Sequence, residues 1–209
     1  MARGPRRSEV VVVLLALVAV AVIVALALTG TEPVSVPPAE IPEPTPTAPR
    51  APLTGIVVDD VAALDHPAVA IKVSDVRQAH PQTGVDRADI VFVEPIGVSY
   101  TRLAAVFHSD IPESVGPVRS IRPPDAPLLG PMAPVFGNTM GAQWVVDYVD
   151  ATANVDDLGT LRVSGSGAYV QDATRPRPDD VFAKPLVLLD LSDFTAAPDP
   201  YFSYASDTE

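Results

Sequence analysis

Cysteine and histidine, which build most redox and zinc sites, are almost missing from this chain. Its 209 residues include no cysteine and only three histidines, scattered along the sequence. The absence of cysteine excludes disulfides, thiol catalysis, thiolate metal ligands and a lipid anchor attached through an N-terminal cysteine. Three scattered histidines do not match the spacing of a zinc site. We therefore predict neither a metal site nor a cofactor.

Lysine is also scarce, since Lys72 and Lys184 are the only two, and acidic side chains are in excess. Asp and Glu number 26 against 14 Lys and Arg, which gives a formal net charge of −12. A surface of this sign repels the phosphates of nucleic acids and of anionic lipids. We therefore predict no nucleic-acid partner.

One long apolar run follows a short basic tail at residues 1–9. Residues 10–28 contain no charged or polar side chain, and a helix of about 20 apolar residues spans a bilayer. The basic flank predicts a single-pass cell-membrane protein whose N-terminus is cytoplasmic and whose remainder lies outside. The competing interpretation is a cleaved signal peptide, since Ala25-Leu26-Ala27 has the small-x-small form of a cleavage site. The length of the run favours the uncleaved anchor, and both interpretations export the rest of the chain.

Residues 29–52 are predicted to be a proline-rich linker outside the cytoplasm. Eight prolines fall within residues 31–52, where little apolar mass is available for burial. Such a composition is typical of an extended spacer, either a stalk of defined reach or a passive tether. The folded, extracytoplasmic domain is predicted at residues 53–209.

Short apolar segments separated by turn residues predict an α+β or mixed α/β fold, with a central β-sheet and a few short helices. The predicted strands cover residues 69–73, 88–94 and 101–109, the last two as a hairpin. Residues 134–137 are either a further short strand or an irregular crossing. A helix is equally compatible with the composition of residues 101–109, but the shortness of the run favours a strand. Helices are predicted at residues 125–129 and 142–149 and after Pro185.

Residues 116–123, GPVRSIRP, set Arg119 and Arg122 three positions apart. Arginine presents a planar fork of donors that suits carboxylate or phosphate. On a helical turn the two would share a face, whereas on a strand they point oppositely, and Pro123 favours the extended case. The predicted ligand-binding residues are Arg102, Arg119, Arg122, Asp89, Glu94 and Asp125. The competing interpretation, which we prefer because buried arginines commonly pair with acids, is an internal arginine–carboxylate network that closes the sheet.

The sequence signals for catalytic residues are weaker than the signal for an arginine site. Asp89 and Glu94, taken as a glycosidase pair, would lie about 17 Å apart along one strand, which is too far. Ser120 and the Ser164-Gly165-Ser166 turn lack a nucleophile elbow, so we predict no catalytic residues. Trp144 and Tyr148 lie at helical spacing, either as a platform for a sugar ring or, as we prefer, as a core-facing pair.

The order of several short motifs resembles the YerB-like family of bacterial cell-envelope proteins, whose domain has no known function. The motifs are PLTG, PQTG, ADIVFVEP, a strand ending in AVFHS, and VGPVRSIRPPD, which ends at Asp125. The resemblance implies an exported or membrane-anchored protein and supplies no catalytic residues. Many relatives carry a lipid-anchoring cysteine, which this chain lacks, and they continue into a second region.

These observations together predict a membrane-anchored, extracytoplasmic protein that acts as a non-catalytic binding or scaffolding module in the cell envelope. Its predicted partners are the membrane, through the N-terminal helix, and either peptidoglycan or an envelope protein. The alternative is a hydrolase that acts on cell-wall material through an arginine-lined anionic substrate site.

Overall fold

The computed structural model describes residues 17–22 and 49–204 and divides the chain into two units, residues 1–45 and residues 46–209. In the first unit, residues 17–22 are helical, and the rest of the predicted membrane span at 10–28 lies outside the described residues. Most of the predicted linker at 29–52 lies outside them as well. Within the two described ranges, no helix is long and apolar enough to cross a bilayer.

The second unit is built on a mixed five-stranded sheet, as the sequence predicts. Its strands are β1 (Val69–Ser74), β2 (Ile90–Ile96), β3 (Tyr100–Phe107), β4 (Val135–Gly137) and β5 (Asp156–Asp157), in the order β2-β3-β1-β4-β5. The β2–β3 and β3–β1 pairs are antiparallel, and the β1–β4 and β4–β5 pairs are parallel. Four single turns of 3-10 helix fall between the strands and helices, at Ala62–Leu64, Arg77–Ala79, Val85–Arg87 and Gly130–Met132.

Strand β1 lies at the centre of the sheet and is buried along its whole length. Because side chains alternate along a strand, its two sets of side chains enter two separate cores. Ala68 and Ala70 belong to the first, while Val69, Ile71 and Val73 belong to the second. A strand buried on both faces explains the almost continuous apolar run in the sequence.

Helices cover both faces of this sheet. The helices are α1 (Asp125–Leu129), α2 (Gln143–Thr152) and α3 (Pro185–Leu191). Apolar residues of α1 and α2 enter the first core, and Leu188 of α3 enters the second. Helix α1 has the predicted bounds, α2 runs three residues beyond its predicted end, and α3 begins at Pro185, as expected for proline in a first turn.

Some predicted elements need correction. Strand β2 starts two residues later than predicted and continues through Pro95 to Ile96. Proline is tolerated there because β2 is the edge strand of the sheet and need not donate on its outer side. Three short strands were not predicted at all: β5, β6 (Tyr169–Gln171) and β7 (Val181–Ala183), of which β6 and β7 form a separate antiparallel pair.

The arginine-bearing segment 116–123 lies beside the end of β1. Strand β4 pairs only with Val69 to Ile71, and beyond that point Val118 takes its place opposite Val73. The amide of Arg119 donates to the carbonyl of Lys72 at 2.8 Å. Gly116 begins the segment where a Cβ would lie 2.7 Å from the Phe182 ring, so a larger residue would force the ring to move.

Candidate functional site

Register places a row of polar side chains on the first-core face of the sheet. Ser74 pairs with Arg102, and Arg102 pairs with Glu94 on the far strand. Directly paired residues in antiparallel strands project from the same face. Lys72, two positions before Ser74, projects from that face as well, so two cations and one acid meet where the sheet ends.

Lys72 is the centre of a buried charged cluster. It is completely buried, and its Nζ lies 2.5 Å from Glu94 Oε1 and 2.6 Å from Asp125 Oδ1. Asp125 begins helix α1 and also accepts the amide of Arg122 at 2.6 Å, which fixes the turn that precedes the helix. Two of the three acids that the sequence assigns to a ligand site, Glu94 and Asp125, are therefore paired with one ammonium.

Glu94 is the member of this cluster whose ionised form is disfavoured. Burial, and then the neighbouring charge of Asp125, raise the pKa of Glu94 to about 7, although Lys72 acts in the opposite direction. Burial beside a second carboxylate therefore favours the protonated form of Glu94. The second carboxyl oxygen of Glu94 is buried and has no hydrogen-bond partner among the described residues, which adds to the cost of ionisation.

Arg102 and Arg119 line one small pocket at the end of the sheet. Its volume is about 230 Å³, and Ser74, Thr101, Pro178 and Asp179 contribute to its walls. Arg102 comes from β3, Arg119 from the segment beside β1, and Asp179 from the loop before β7. We call this cavity the arginine pocket.

Arg102 has no acid of its own. Its Nη1 donates to the carbonyl of Ser120 at 2.7 Å, and no carboxylate of residues 49–204 lies within ion-pair distance of it. Burial, followed by repulsion from Arg122 and Arg119, lowers its pKa to about 10, although Asp125 and Glu94 act more weakly in the opposite direction. Arg119 and Arg122 thus both repel Arg102, and an anion beside Arg102 and Arg119 would offset that repulsion.

Arg119 has one weak acidic neighbour. Its Nε lies 3.8 Å from Asp179 Oδ1, which is too long for a hydrogen bond, and its Nη1 makes only a long contact of 3.4 Å to the carbonyl of Pro178. The Arg119 Nε, Asp179 Oδ1 and Ser74 Oγ atoms are all buried without a hydrogen-bond partner in the described chain. Three unpartnered polar atoms around one cavity are able to form hydrogen bonds with a ligand bound there.

Arg122 lines a different, larger pocket of about 520 Å³. Its Nη1 donates to the neighbouring carbonyl of Ile121, and no acid within the described ranges pairs with it. The larger pocket includes Ser120, whose hydroxyl lies 3.4 Å from that of Thr139. Arg119 and Arg122 therefore line two different pockets.

Trp144 also lines the larger pocket, and the preference for a core-facing role is wrong. Its exposed fraction is 65%, and that of Tyr148 is 40%. The buried face of α2 is formed instead by Val145, Val146 and Val149. Trp144 and Tyr148 lie on the outer side of α2 because Val145 and Val149, each one position later, belong to the apolar face that packs against the core.

Asp89 lies away from both pockets, at the opposite end of β2 from Glu94. It accepts the amides of His108 and Ser109, at 2.5 and 2.9 Å, and the hydroxyl of Ser109. His108 is buried, and its Nε2 lies 3.1 Å from the carbonyls of Leu64 and His66, which assigns the proton to that nitrogen. These contacts cap the end of the β2–β3 hairpin.

Two residues of the site were missed from the sequence. Lys72 carried a signal, since a lysine inside a run of buried apolar residues must be paired with acid. Asp179 carried none, because the Pro-rich loop around it gives no local pattern that points to Arg119, 60 positions earlier. Among the residues that the structure describes, no group of three or more metal-ligating side chains is found.

Comparisons with known proteins agree on the same region. A family model described as "Protein of unknown function (DUF3048) N-terminal domain" matches residues 53–196. A protein of Bacillus subtilis (strain 168) called "Putative lipoprotein YerB" is 42% identical over 73 residues, which are 35% of this chain and 22% of that protein.

A crystal structure of YerB protein from Bacillus subtilis matches with a TM-score of 0.65 at 23% identity. The match covers 75% of this chain and 55% of the solved one, so the likeness concerns the fold, and the chain spans little more than half the length of that relative.

Proposed function

The chain belongs to the family described as "Protein of unknown function (DUF3048) N-terminal domain". Since that description gives no function, we propose one from the site itself: the chain binds a carboxylate-bearing ligand of the cell envelope in the arginine pocket. The resemblance to the YerB-like family is confirmed by the family match and by both relatives. The proposed role is binding or scaffolding without catalysis.

The convergence of Arg102 and Arg119 on one cavity carries this proposal. The chain has a net charge of −12, yet the arginine pocket holds two guanidinium groups and a single carboxylate, that of Asp179. Although the chain is rich in acidic residues, no described carboxylate pairs with Arg102, so its positive charge remains available to a ligand. A guanidinium fork matches the two oxygens of a carboxylate, which favours that group over a spherical anion.

A binding role is favoured over catalysis by the position of the other charged groups. Glu94, whose raised pKa would suit a general base, is buried against Lys72 and does not line the arginine pocket. A perturbed pKa marks a catalytic group only when the group reaches a cleft. The hydrolase suggested as an alternative by the sequence gains no support from this arrangement.

The proposed location is the outer face of the cell membrane. It is supported by the apolar run at 10–28 behind a basic tail and by the name of the Bacillus relative, which calls that protein a lipoprotein. Ligands carrying free carboxylates and found there include cell-wall peptides and the C-termini of envelope proteins.

The test is calorimetric titration of soluble cell-wall peptide fragments into the full-length chain in detergent. We expect Arg102→Met and Arg119→Met each to weaken binding at least about tenfold, as for loss of a charge-assisted contact. Arg87→Met is the matched control, because Arg87 pairs with Asp110 outside the arginine pocket. Undiminished binding by both pocket variants, or an equal loss in the control, would refute the proposal. Appearance of cleaved fragments during the titration would favour the hydrolase instead.

A further inference from the structure

We infer that the ligand of the arginine pocket carries an N–H donor on the carbon that bears its carboxylate, as in a free α-amino acid or the C-terminal residue of a peptide. This inference rests on the proposed carboxylate-binding function and specifies the ligand class. It draws on the unpartnered side-chain atoms of Asp179 and Ser74, to which the carboxylate argument gives no role in binding.

Asp179 is a buried carboxylate without a hydrogen bond. Its residue is 4% exposed, and its side chain accepts no hydrogen bond from any residue between 49 and 204. Burial of a charged oxygen without a donor is costly, so structures normally supply one. Arg119 does not, because its Nε remains 3.8 Å away. A donor that arrives with the ligand would complete the hydrogen bonding of Asp179.

The position of Asp179 is held by its loop rather than by its side chain. Arg175, four residues earlier, donates to the carbonyls of Ala79 at 3.0 Å and Pro81 at 2.7 Å and stacks over the ring of Phe182. The backbone amide of Asp179 donates to Pro176 at 3.0 Å. The loop thus presents the carboxylate to the arginine pocket independently of Arg119, as a site prepared before binding requires.

The spacing suits a ligand whose opposite charges share one carbon. A cation and a carboxylate side by side, as Arg119 and Asp179 are, can contact the carboxylate and the amino group of one α-carbon at once. Ser74, 1% exposed, adds a hydroxyl that is free to donate or accept. The volume of about 230 Å³ lies below the 300–1,000 Å³ typical of drug-sized ligands, as expected for a single amino-acid unit.

The test compares alanine with propionate, which lacks only the amino group, by calorimetric titration into the full-length chain in detergent. We expect alanine to bind at least about tenfold more tightly, as for one charge-assisted hydrogen bond. Asp179→Asn should weaken alanine and strengthen propionate, because it removes a partner of the amino group and a repulsive charge facing the carboxylate. N-acetylalanine, which keeps one N–H, distinguishes the sources: binding equal to alanine indicates a peptide C-terminus, and loss of binding indicates a free amino acid.

Equal affinities for alanine and propionate in the unmodified chain would overturn the inference. So would an Asp179→Asn variant that weakens both ligands alike, since that pattern indicates a structural role for the carboxylate. The proposed function fails separately, if neither compound binds or if binding survives Arg119→Met. Melting temperatures of each variant, measured alongside, identify any loss that is due to unfolding.

Discussion

Lys72 and the pair Arg102 and Arg119 lie on neighbouring parts of one sheet, yet acids surround them in opposite measure. Lys72 is fully buried and contacts two carboxylates, whereas the two arginines line a cavity with one carboxylate, that of Asp179, which lies 3.8 Å from Arg119. A buried cation that is surrounded by more than one carboxylate has a structural role. A cation with fewer acids around it, beside a cavity, is the kind that the proposed function assigns to a ligand. Under that proposal, the number of acids around each cation distinguishes the structural cation from the ligand-binding ones.

The largest expected effect is that of Lys72→Met. It strands Glu94 and Asp125 as buried carboxylates without a cation, and such a loss costs about 3–5 kcal/mol of unfolding free energy. Urea denaturation of the full-length chain at pH 8 measures it. A loss below about 1 kcal/mol at that pH would show that the cluster is not structural.

Glu94→Gln is expected to change how stability depends on pH. Burial raises the Glu94 pKa from its ordinary 4.5 to about 7, so the folded chain holds a proton that the unfolded chain has released between these values. Stability from this group is therefore complete below pH 4.5 and is lost as pH rises through about 7.

The variant should lose less stability than the unmodified chain between pH 5 and pH 8, by about 1–3 kcal/mol, as judged from urea denaturation at each pH. Asp125→Asn provides the complementary variant, since it removes the charge that helps to raise the Glu94 pKa. Parallel pH profiles for the unmodified chain and Glu94→Gln would contradict the assignment of the raised pKa to Glu94.

Arg102→Met brings the same replacement to the other side of the comparison. It removes one hydrogen bond to Ser120 but also relieves the repulsion from Arg119 and Arg122, so we expect the unfolding free energy to change by less than about 1 kcal/mol. A loss comparable to that of Lys72→Met would assign Arg102 to the architecture and remove the basis for the binding site.

The smallest expected effect is that of Trp144→Ala, which tests whether exposure also separates the roles at the larger pocket. With 65% of the residue exposed, its loss should cost less than about 0.5 kcal/mol. Val146→Ala on the buried side of the same helix should cost about 1–3 kcal/mol. Similar losses for both in urea denaturation would mean that Trp144 packs more tightly than its exposure indicates.

The fold was largely predictable because its central elements have strong local signals. Strand β1 and the β2–β3 hairpin follow from apolar runs bounded by turns, and α1 and α3 begin at or next to a proline. The short strands β5, β6 and β7 have no comparable signal, since pairings of two or three residues depend on partners distant in the sequence.

The site was predictable only where residue type alone reveals the chemistry. The paired arginines Arg119 and Arg122 suggested an anion site, but they line two different pockets, and Arg119 shares its cavity with Arg102 instead. Glu94 and Asp125 were grouped with them by proximity in sequence, but sheet register brings Glu94 to Lys72 and the position of helix α1 brings Asp125 there. Asp89 was included for the same reason and instead caps a hairpin. Long-range pairing decides which cation an acid meets, and a single sequence does not contain it.

The arginine pocket is assembled from distant parts of the chain, with Ser74 on β1, Arg102 on β3 and Asp179 in the loop before β7. No short piece of the polypeptide contains these groups together, so an unfolded chain has no comparable affinity for the ligand. Mass action then links occupancy to persistence of the fold, and ligand at 100 times its dissociation constant adds about 2.7 kcal/mol. At the proposed location outside the cytoplasm, where ATP-driven chaperones do not act, binding of the proposed ligand would add to the stability of this domain.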